Sequence, residues 1–510
     1  MSESSRGRAA YDELRRDLRE AAVLASAGAL LSWDQETLLP PRGFQLRAEQ
    51  LAALSGIVHE RRTRPQVGEW LDAAEADAEL GADPDAAANL REIRREYDRA
   101  VKLPGSLVRE IAQTGALAQH AWRDAREGND FASFAPWLRK TYDLARARAE
   151  CYRPGASAAA GYEALLDEFE PGATVEPLAR VFAELRDRLT PLIAEIAASG
   201  VSLSGPLDGL AIEPSHQMEL NRRVAARIGF DFDAGRLDTS THPFCEGIGP
   251  GDTRLTTRFQ EDRFLDSLSS TLHEAGHGLY EQGLPKEEHL GEPLGESASL
   301  GIHESQSRLW ENMVGRSRPF WEWALPEARA ALGSDLGGAT VEDLYRAANR
   351  VRPGLIRVDS DEATYNLHIL LRFDLERALF AGDLAVDDLP GEWNERMRRD
   401  LGVAVPDDRR GCLQDIHWSM GAVGYFPTYT LGNLYGAQLW EAARRDLAGL
   451  DEAIARGEFG ELLGWLREHI HRHGRRYSAM ELCERATGAP LSAEPFFRYL
   501  EGKLRAIYRI

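Results

Sequence analysis

The sequence predicts a mainly α-helical protein, one large helical body that includes a small antiparallel β-sheet. Long segments carry apolar residues at helical spacing and are joined by short polar stretches, which is typical of packed helices. One region, residues 236–259, has the alternating character of strands. No linker and no internal repeat divides the 510 residues, so we expect a single domain that spans residues 1–510.

The predicted helices follow one another along the whole chain and are separated by short turns. Residues 33–43, which include Trp33–Asp34–Gln35–Glu36–Thr37, are expected to connect the first two helices. The predicted helices cover residues 9–33, 44–62, 85–102, 104–127, 134–152, 175–199, 215–228, 265–282, 297–315, 319–331, 341–349, 361–380, 392–401, 432–446, 450–456, 462–472, 478–487 and 495–508.

Two strands are expected directly before helix 265–282. Residues 236–244 and 251–259 contain Thr, Pro and Gly with alternating character, and residues 247–251 provide a glycine-rich turn between them. We expect these two segments to pair as an antiparallel hairpin.

Composition restricts the partners and the compartment. The net charge of −21 argues against nucleic acid and against an anionic membrane surface as partners, since both require basic patches. The four cysteines are far apart and form no CxxC pair, which favours a reduced, cytoplasmic protein. The first residues are polar with no apolar signal core, and no apolar run is long enough to span a bilayer, so neither secretion nor membrane insertion is expected.

Helix 265–282 carries the strongest chemical signal. Its apolar stripe flanks His273, Glu274 and His277, an H-E-x-x-H pattern. Two imidazoles one turn apart can chelate one zinc ion, and the intervening glutamate can take a proton from a zinc-bound water. The alternative is a pair of ordinary surface histidines. Gly276 and Gly278 argue against it, because glycine is costly inside a helix and suggests a very close neighbour.

Catalytic zinc usually takes three protein ligands, and residue spacing leaves two candidates for the third. Glu296 lies 19 residues after His277, a spacing common among zinc peptidases, whereas Glu304 lies 27 residues after it. Glu304 belongs to the densely polar run His303–Glu304–Ser305–Gln306–Ser307–Arg308, which suits the surroundings of a metal. Either glutamate could also be an ordinary helix carboxylate.

Five ordered motifs resemble those of the carboxypeptidase Taq family of zinc metallocarboxypeptidases. The fourth motif departs from the family pattern only in Ser360, which replaces an alanine. The matches are Asp252–Thr256 to D-x-R-x-T, His273–His277 to H-E-x-x-H, His303–Gln306 to H-E-S-Q, Ile356–Asp361 to I-R-x-x-A-D, and Gly411–Trp418 to G-x-x-Q-D-x-H-W.

The resemblance implies Glu304 as the third ligand and one Zn2+ per subunit, for which Co2+ may substitute. It also implies a gluzincin-like fold, with the β-sheet beside a deep active-site groove, and a homodimer. We expect helices of residues 1–200 to form a subdomain or lid over the groove and residues 201–510 to form the catalytic part. The implied activity is the release of single C-terminal residues from peptides with a free C-terminus, with broad specificity and proline a poor terminal residue.

The expected mechanism uses a zinc-activated water with Glu274 as general base and then acid. His417 and Tyr425 are the favoured donors to the oxyanion, with Tyr429 as a further candidate that core packing would also explain. Arg357 is the expected anchor for the terminal carboxylate and Arg254 the second choice, although either could be a structural ion pair with Asp359 or Asp252. The remaining predicted roles are substrate binding for His303, Gln414 and Tyr429, and orientation of ligands and substrate by Asp252, Asp361 and Asp415.

Two alternative functions remain at this point. A helical endopeptidase or oligopeptidase would use the same zinc chemistry but would accept an amidated C-terminus. A zinc-binding protein without catalysis would need a closed site of four ligands, and the intact Glu274 argues against that. His242, His469, His471 and His473 are expected to be structural, and Cys245 and Cys412 to be small buried residues.

Overall fold

A computed structural model describes residues 3–510, apart from the side chains of residues 3–5, 334 and 335, so residues 1 and 2 of the predicted domain lie outside it. The described chain is mainly helical, as predicted. Its helices are α1 Glu3–Thr37, α2 Phe44–Thr63, α3 Pro65–Glu75, α4 Ala78–Ala82, α5 Pro84–Lys102, α6 Gly105–Gly128, α7 Phe131–Tyr152, α8 Ala158–Leu166, α9 Val175–Ala198, α10 Pro214–Arg227, α11 Phe264–Gly283, α12 Leu300–Arg308, α13 Arg318–Leu332, α14 Val341–Ala348, α15 Glu362–Ala381, α16 Leu389–Leu401, α17 Pro427–Asp446, α18 Leu450–Ala455, α19 Gly460–His469, α20 Ala479–Thr487 and α21 Glu494–Tyr508. None of these helices is both long enough and apolar enough to cross a membrane.

The helices of the structure differ from the predicted ones in three respects. Residues 33–37 continue α1 to Thr37 instead of forming a turn. Helices α3, α4 and α8 were not predicted, because short helices carry little periodicity. Predicted helix 297–315 is α12 followed by a π-helical turn at Leu309–Val314, a local widening that apolar spacing does not reveal.

The strands correct the predicted hairpin. Strand β1 is Gly235–Thr239, β2 is Cys245–Gly249 and β3 is Asp252–Thr257. Strands β2 and β3 form the antiparallel hairpin, while β1 pairs with β3 in parallel, giving the order β1–β3–β2. Residues 247–249, predicted to be turn, are strand, because Pro250 and Gly251 alone reverse the chain and Gly251 supplies a positive φ of 75°.

The chain is divided into two compact units that interleave along the sequence. The first unit contains residues 1–101, 204–348 and 435–491, and the second contains residues 102–203, 349–434 and 492–510. The first 200 residues are therefore shared between both units. Their predicted role as a subdomain or lid stays a prediction.

The first unit contains the sheet and helix α11, together with an apolar cluster formed by α1, α3 and α5. Strand β3 packs against α11: Leu255 is fully buried, and the Thr257 hydroxyl donates to the Ser267 carbonyl at 3.3 Å. The cluster joins Leu14 and Leu18 of α1 to Leu71 of α3 and Leu90 of α5. The sheet that precedes the H-E-x-x-H helix in sequence thus also packs against it.

The second unit is built around α15, which is buried on nearly all of its faces. An aromatic cluster surrounds it, in which Phe373 lies 5.0 Å from Phe182 and 6.1 Å from Tyr162 between ring centroids. Charged residues of α15 are buried as well: Arg372 and Glu376 are both fully inaccessible. Buried charged groups need partners: Arg372 donates to Asp415, and Glu376 accepts from Trp418 and Tyr162.

Candidate metal centre

Helix α11 holds the H-E-x-x-H residues beside a tightly packed face. Leu268, Leu272 and Leu279 are at most 2% exposed and form the predicted apolar stripe. A Cβ on Gly276 would lie 2.6 Å from the Gln306 carbonyl oxygen and 2.6 Å from the Ser307 Cα, so α12 approaches the α11 backbone directly. The close neighbour predicted from Gly276 is therefore confirmed.

The structure brings His273, His277 and Glu304 together. Their ligand atoms all lie within 4.8 Å of one another. Glu304 Oε2 is 3.7 Å from His273 Nε2 and 3.4 Å from His277 Nε2. Glu296 is not part of this cluster, which agrees with the choice of Glu304 as third ligand.

These distances fit a zinc ion. Tetrahedral ligands about 2.0–2.1 Å from zinc lie about 3.3 Å from one another. The two measured separations from Glu304 are 3.4 and 3.7 Å, so small side-chain movements would complete the geometry. Two imidazoles and one carboxylate are also the donor set of many catalytic zinc sites, in which a fourth position is left for water or substrate.

Glu311 orients the first of the histidine ligands. His273 Nδ1 donates to Glu311 Oε2 at 2.9 Å, which leaves Nε2 available to a metal. Glu311 also accepts from Ser269 Oγ at 3.0 Å and from Arg316 Nη2 at 3.2 Å. It reaches His273 from the π-helical turn after α12.

Arg308 holds the carboxylates of this centre. Its Nε donates to Glu304 Oε1 at 2.6 Å and its Nη1 to Glu311 Oε2 at 3.1 Å. Glu304 therefore turns its other oxygen, Oε2, toward the two histidines. Burial alone would raise the pKa of Glu304, but Arg308 and the histidines outweigh it and hold that pKa far below its usual range.

The second candidate ligand, His277, faces His303. His277 Nδ1 lies 3.0 Å from the His303 backbone oxygen and 2.6 Å from His303 Nδ1. His303 Nε2 lies 2.8 Å from Glu281 Oε1, and Glu281 Oε2 forms an ion pair with Lys286. Burial, together with His303, lowers the pKa of His277 to about 3, so the ring is neutral at neutral pH, as metal binding requires.

Glu274 lies beside the ligands and is only 6% exposed. Burial raises its pKa to about 7; the nearby His273 opposes this effect, while Glu304 and Glu311 add to it. A carboxyl group with a pKa near neutrality is suited to exchanging protons in both directions.

A second buried group of charges, all in the second unit, contains the predicted carboxylate anchor. Arg357 Nε and Nη2 contact Asp415 Oδ1 at 3.1 and 3.0 Å, and Arg372 Nε donates to Asp415 Oδ2 at 2.7 Å. Burial alone would lower the pKa of Arg357, but Asp415 outweighs it and raises that pKa. Two guanidinium groups thus share one carboxylate, and the trio carries one net positive charge.

The other predicted residues of the second unit surround this trio. Gln414 Oε1 accepts from the Arg357 backbone N–H at 3.0 Å, and its Nε2 donates to the Leu355 carbonyl at 3.1 Å. His417 Nε2 lies 3.3 Å from the Tyr429 hydroxyl, and the ring centroids of His417 and Tyr425 are 5.3 Å apart. Burial lowers the pKa of His417 to about 4, so the ring is neutral at neutral pH. The catalytic and substrate-binding roles of these residues stay predictions.

Asp361, Arg254 and Asp252 are engaged in local contacts. Asp361 caps α15, since its Oδ1 accepts from the backbone of Ala363 at 2.9 Å and of Thr364 at 3.0 Å. Arg254 forms a two-bond fork with Asp252, each bond 2.8 Å long. The Arg254 guanidinium also lies 4.4 Å from the centroid of the Trp33 ring. The fork between Arg254 and Asp252 is the structural ion pair that was the alternative to a substrate-binding role for Arg254.

Four residues around the candidate metal centre and the buried charged trio were not predicted from the sequence: Glu281, Glu311, Arg308 as a partner of two carboxylates, and Arg372. A signal for three of them was present. Glu304, Arg308 and Glu311 recur at steps of four and three, so they share one helical face. Glu281 also lies one turn after His277 on α11, whereas the partner of Arg372 is 43 residues away in sequence.

Comparison with known proteins identifies the family of this chain. Residues 13–504 match the model of the Carboxypeptidase Taq (M32) metallopeptidase family. Thermostable carboxypeptidase 1 of Thermus thermophilus is 48% identical over 98% of this chain and 99% of its own length. Carboxypeptidase 1 of Bacillus subtilis is 36% identical over 96% of this chain and 97% of its own length.

A solved structure agrees in fold as well. The crystal structure of the M32 carboxypeptidase from Deinococcus radiodurans R1 superposes with a TM-score of 0.95 at 41% sequence identity, and it covers 98% of this chain and 100% of that one. The metal-ligand cluster, the helical fold and these matches lead to one conclusion: the chain belongs to the carboxypeptidase Taq (M32) family of metallopeptidases and is a carboxypeptidase.

Proposed function

We propose that this enzyme is a zinc-dependent carboxypeptidase that releases single residues from the free C-terminus of peptides. The observation that carries the proposal is the cluster of His273, His277 and Glu304 with Glu274 beside it. Bound zinc would activate water and polarise the scissile carbonyl. Cobalt is the proposed substitute, because it accepts the same imidazole and carboxylate donors.

Glu274 carries the protons in this proposal. Buried beside the ligand cluster, it is placed to take a proton from the attacking water and to pass it to the leaving amine. His273 and His277 stay fixed meanwhile, because their Nδ1 atoms are held by Glu311 and by His303. His417 and Tyr425 are the proposed donors to the carbonyl oxygen as it becomes negative.

Arg357 is the proposed partner of the substrate's terminal carboxylate. Its trio with Asp415 and Arg372 is nearly inaccessible, with side-chain exposures of 7%, 10% and 0%, and it holds one unbalanced positive charge. An unbalanced buried charge is costly, so an incoming carboxylate would be bound favourably. This feature favours an exopeptidase over an endopeptidase, which needs no anchor for a free C-terminus. Arg254 is the weaker candidate, because Asp252 already occupies its fork.

Three further properties belong to the same proposal. We propose broad side-chain specificity with proline as a poor terminal residue, following the family resemblance. We propose a homodimer, which exposed apolar side chains near the junction of α1 and α2 support: Leu38, Phe44 and Leu46 are 62%, 51% and 61% exposed. We propose a cytoplasmic location, supported by four free cysteines in the described chain.

The test is a mass-spectrometric time course on one peptide that carries either a free or an amidated C-terminus. We expect stepwise loss of terminal residues from the free acid only, and only with the zinc-loaded parent protein. Glu274→Gln and a chelator-treated sample should leave the peptide intact, and zinc should restore the treated sample. Internal cleavage of both peptides would establish an endopeptidase instead. No cleavage by the zinc-loaded parent would refute the proposed activity.

A further inference from the structure

A buried chain of polar side chains starts at the second candidate metal ligand, His277, and lies within the first unit. His277 Nδ1 faces His303 Nδ1 at 2.6 Å, and His303 Nε2 faces Glu281 Oε1 at 2.8 Å. Glu281 in turn pairs with Lys286. All four side chains are at most 18% exposed, so water competes little with these contacts.

The hydrogen positions in this chain follow from its ends. His277 needs an unprotonated Nε2 to bind a metal, so its Nδ1 carries the proton. His277 Nδ1 lies 3.0 Å from the His303 backbone oxygen and 2.6 Å from His303 Nδ1. The gap of 2.6 Å has room for a single hydrogen, so His303 Nδ1 carries none of its own. The proton of His303 is then on Nε2 and is donated to Glu281.

Glu281 is well suited to fix that arrangement. Burial on its own would raise its pKa, but the His303 hydrogen bond and the Lys286 charge lower it to about 2. An ionised carboxylate can only accept, so it requires a proton on His303 Nε2. The opposite tautomer of His303 would place two N–H groups against each other across 2.6 Å and would push the His277 ring away.

Strand β2 prevents Glu281 from turning elsewhere. A Cβ on Gly247 would lie 2.0 Å from Glu281 Oε2 and 2.8 Å from Lys286 Nζ, so the strand backbone closes over this ion pair. Glycine at position 247 thus permits the pair to remain buried beside the sheet.

We infer that Glu281, held by Lys286 and acting through His303, is a positioning residue that fixes the tautomer and orientation of the metal ligand His277. The inference rests on the proposed zinc site. Outer partners of metal-bound histidines are typically worth about 10–100-fold in metal affinity. Glu281 does not touch the metal ligands itself, so its effect should depend on the ring of His303.

The first experiment measures Zn2+ affinity of the full-length protein by competition with a chromophoric chelator. We expect Glu281→Gln to weaken Zn2+ binding about 10-fold, because an amide can also donate to His303 and so permit the wrong tautomer. Glu296→Gln is the control, since Glu296 also interacts electrostatically with Lys286 and Glu281, yet lies outside the ligand cluster. It should leave the affinity unchanged.

A double-mutant cycle separates positioning from general damage. A His303→Phe background lacks the two imidazole nitrogens that transmit the effect, so Glu281→Gln should change Zn2+ affinity less than 2-fold there. A 10-fold effect that persists in this background would overturn the inference, as would unchanged affinity of Glu281→Gln in the parent. If Glu281→Gln misfolds because Lys286 loses its partner, the double variant Glu281→Gln/Lys286→Met removes both charges and should show the same loss of affinity.

One further variant distinguishes failure of this inference from failure of the zinc site. Glu304→Gln alters a proposed ligand and should weaken Zn2+ binding far more than Glu281→Gln does. Parent-like Zn2+ affinity of Glu304→Gln would refute the proposed site and with it the inference. A strong loss in Glu304→Gln with none in Glu281→Gln would refute the role of Glu281 alone.

Discussion

Replacing Gly276 by alanine tests whether the contact between α11 and α12 builds the metal centre. The new Cβ would lie 2.6 Å from both the Gln306 carbonyl oxygen and the Ser307 Cα. Carbon atoms in contact prefer about 3.5–4.0 Å, so the α12 backbone must retreat by about 1 Å. Glu304 belongs to α12 and would move with it, whereas metal–ligand distances tolerate only about 0.2 Å.

The cost to stability can be worked out from two opposing effects. Alanine is favoured over glycine in a helix interior by about 1 kcal/mol. Overpacking a tight core costs about 1–3 kcal/mol, and the upper end applies because backbone atoms obstruct the methyl group. We therefore expect Gly276→Ala to be destabilised by about 1–2 kcal/mol and to lose most of its Zn2+ affinity.

Two matched glycines serve as controls for this prediction. A Cβ on Gly278 of the same helix would meet side-chain atoms of Phe230 at 2.7 Å and Leu255 at 2.8 Å, which can adjust, so Zn2+ affinity should stay within a few-fold. A Cβ on Gly464 in α19 meets no atom within 4 Å, and Gly464→Ala should gain about 0.5–1 kcal/mol. Thermal unfolding of the metal-free variants and chelator competition measure both effects. A Gly276→Ala variant that unfolds no earlier than the parent and binds Zn2+ equally well would refute the reasoning.

The remaining predictions concern single charged groups. Glu311→Gln should weaken Zn2+ binding about 10–100-fold in chelator competition, because the His273 ring loses its carboxylate partner. Arg357→Gln should raise KM for free-acid peptides about 10–100-fold, the loss expected for charge-assisted hydrogen bonds, whereas Arg254→Gln should change KM much less. Burial raises the pKa of Glu376 from 4.5 to about 7, so its ionisation opposes folding. The contribution of Glu376 to the free energy of unfolding is fully present below pH 4.5. It falls by about 3 kcal/mol in total as the pH rises to about 7. In denaturant unfolding across this pH range, the free energy of unfolding of Glu376→Gln should fall less steeply with pH than that of the parent, by about 1 kcal/mol per pH unit.

Each of these predictions has a contradicting outcome. Parent-like Zn2+ affinity of Glu311→Gln would mean that the π-helical turn does not orient His273. A larger KM effect from Arg254→Gln than from Arg357→Gln would exchange their proposed roles. An unchanged pH slope in Glu376→Gln would show that the three donors to Glu376, from Trp418, Tyr162 and the Gly424 backbone, keep it ionised despite burial.

The sequence predicted the parts of the centre that depend on helical periodicity. His273 and His277 recur at one helical turn, and the two glycines beside them indicated close neighbours. Helix α12 is the neighbour of Gly276, and Phe230 and Leu255 are the neighbours of Gly278. Spacing alone pointed to Glu296 as the third ligand, whereas the polar context and the family resemblance pointed to Glu304. Glu296 follows a short 3-10 turn outside α12, and that break in the helix left no clear mark in the sequence.

Contacts between distant segments were the part that sequence could not provide. Strand β1 pairs in parallel with β3, and its alternation says nothing about the direction of its partner. Arg372 and Glu376 are charged residues within a helix buried on nearly all faces, so they resemble a solvated stripe until Asp415 and Trp418 are found beside them. Such pairings are set by tertiary structure and have no local pattern.

The interleaved order of the two units has a consequence for biosynthesis. Arg91 donates to the carbonyl of Arg475, 384 residues later, and the side chains of His471 and Gln306 meet across 165 residues. At roughly 5–20 residues per second, a ribosome needs about 20–75 s to deliver the partner of Arg91. The metal-binding unit therefore cannot close during synthesis of its first two segments. We expect slow folding dominated by closure of very long loops, and nascent chains that depend on protection from aggregation until residues 435–491 have emerged.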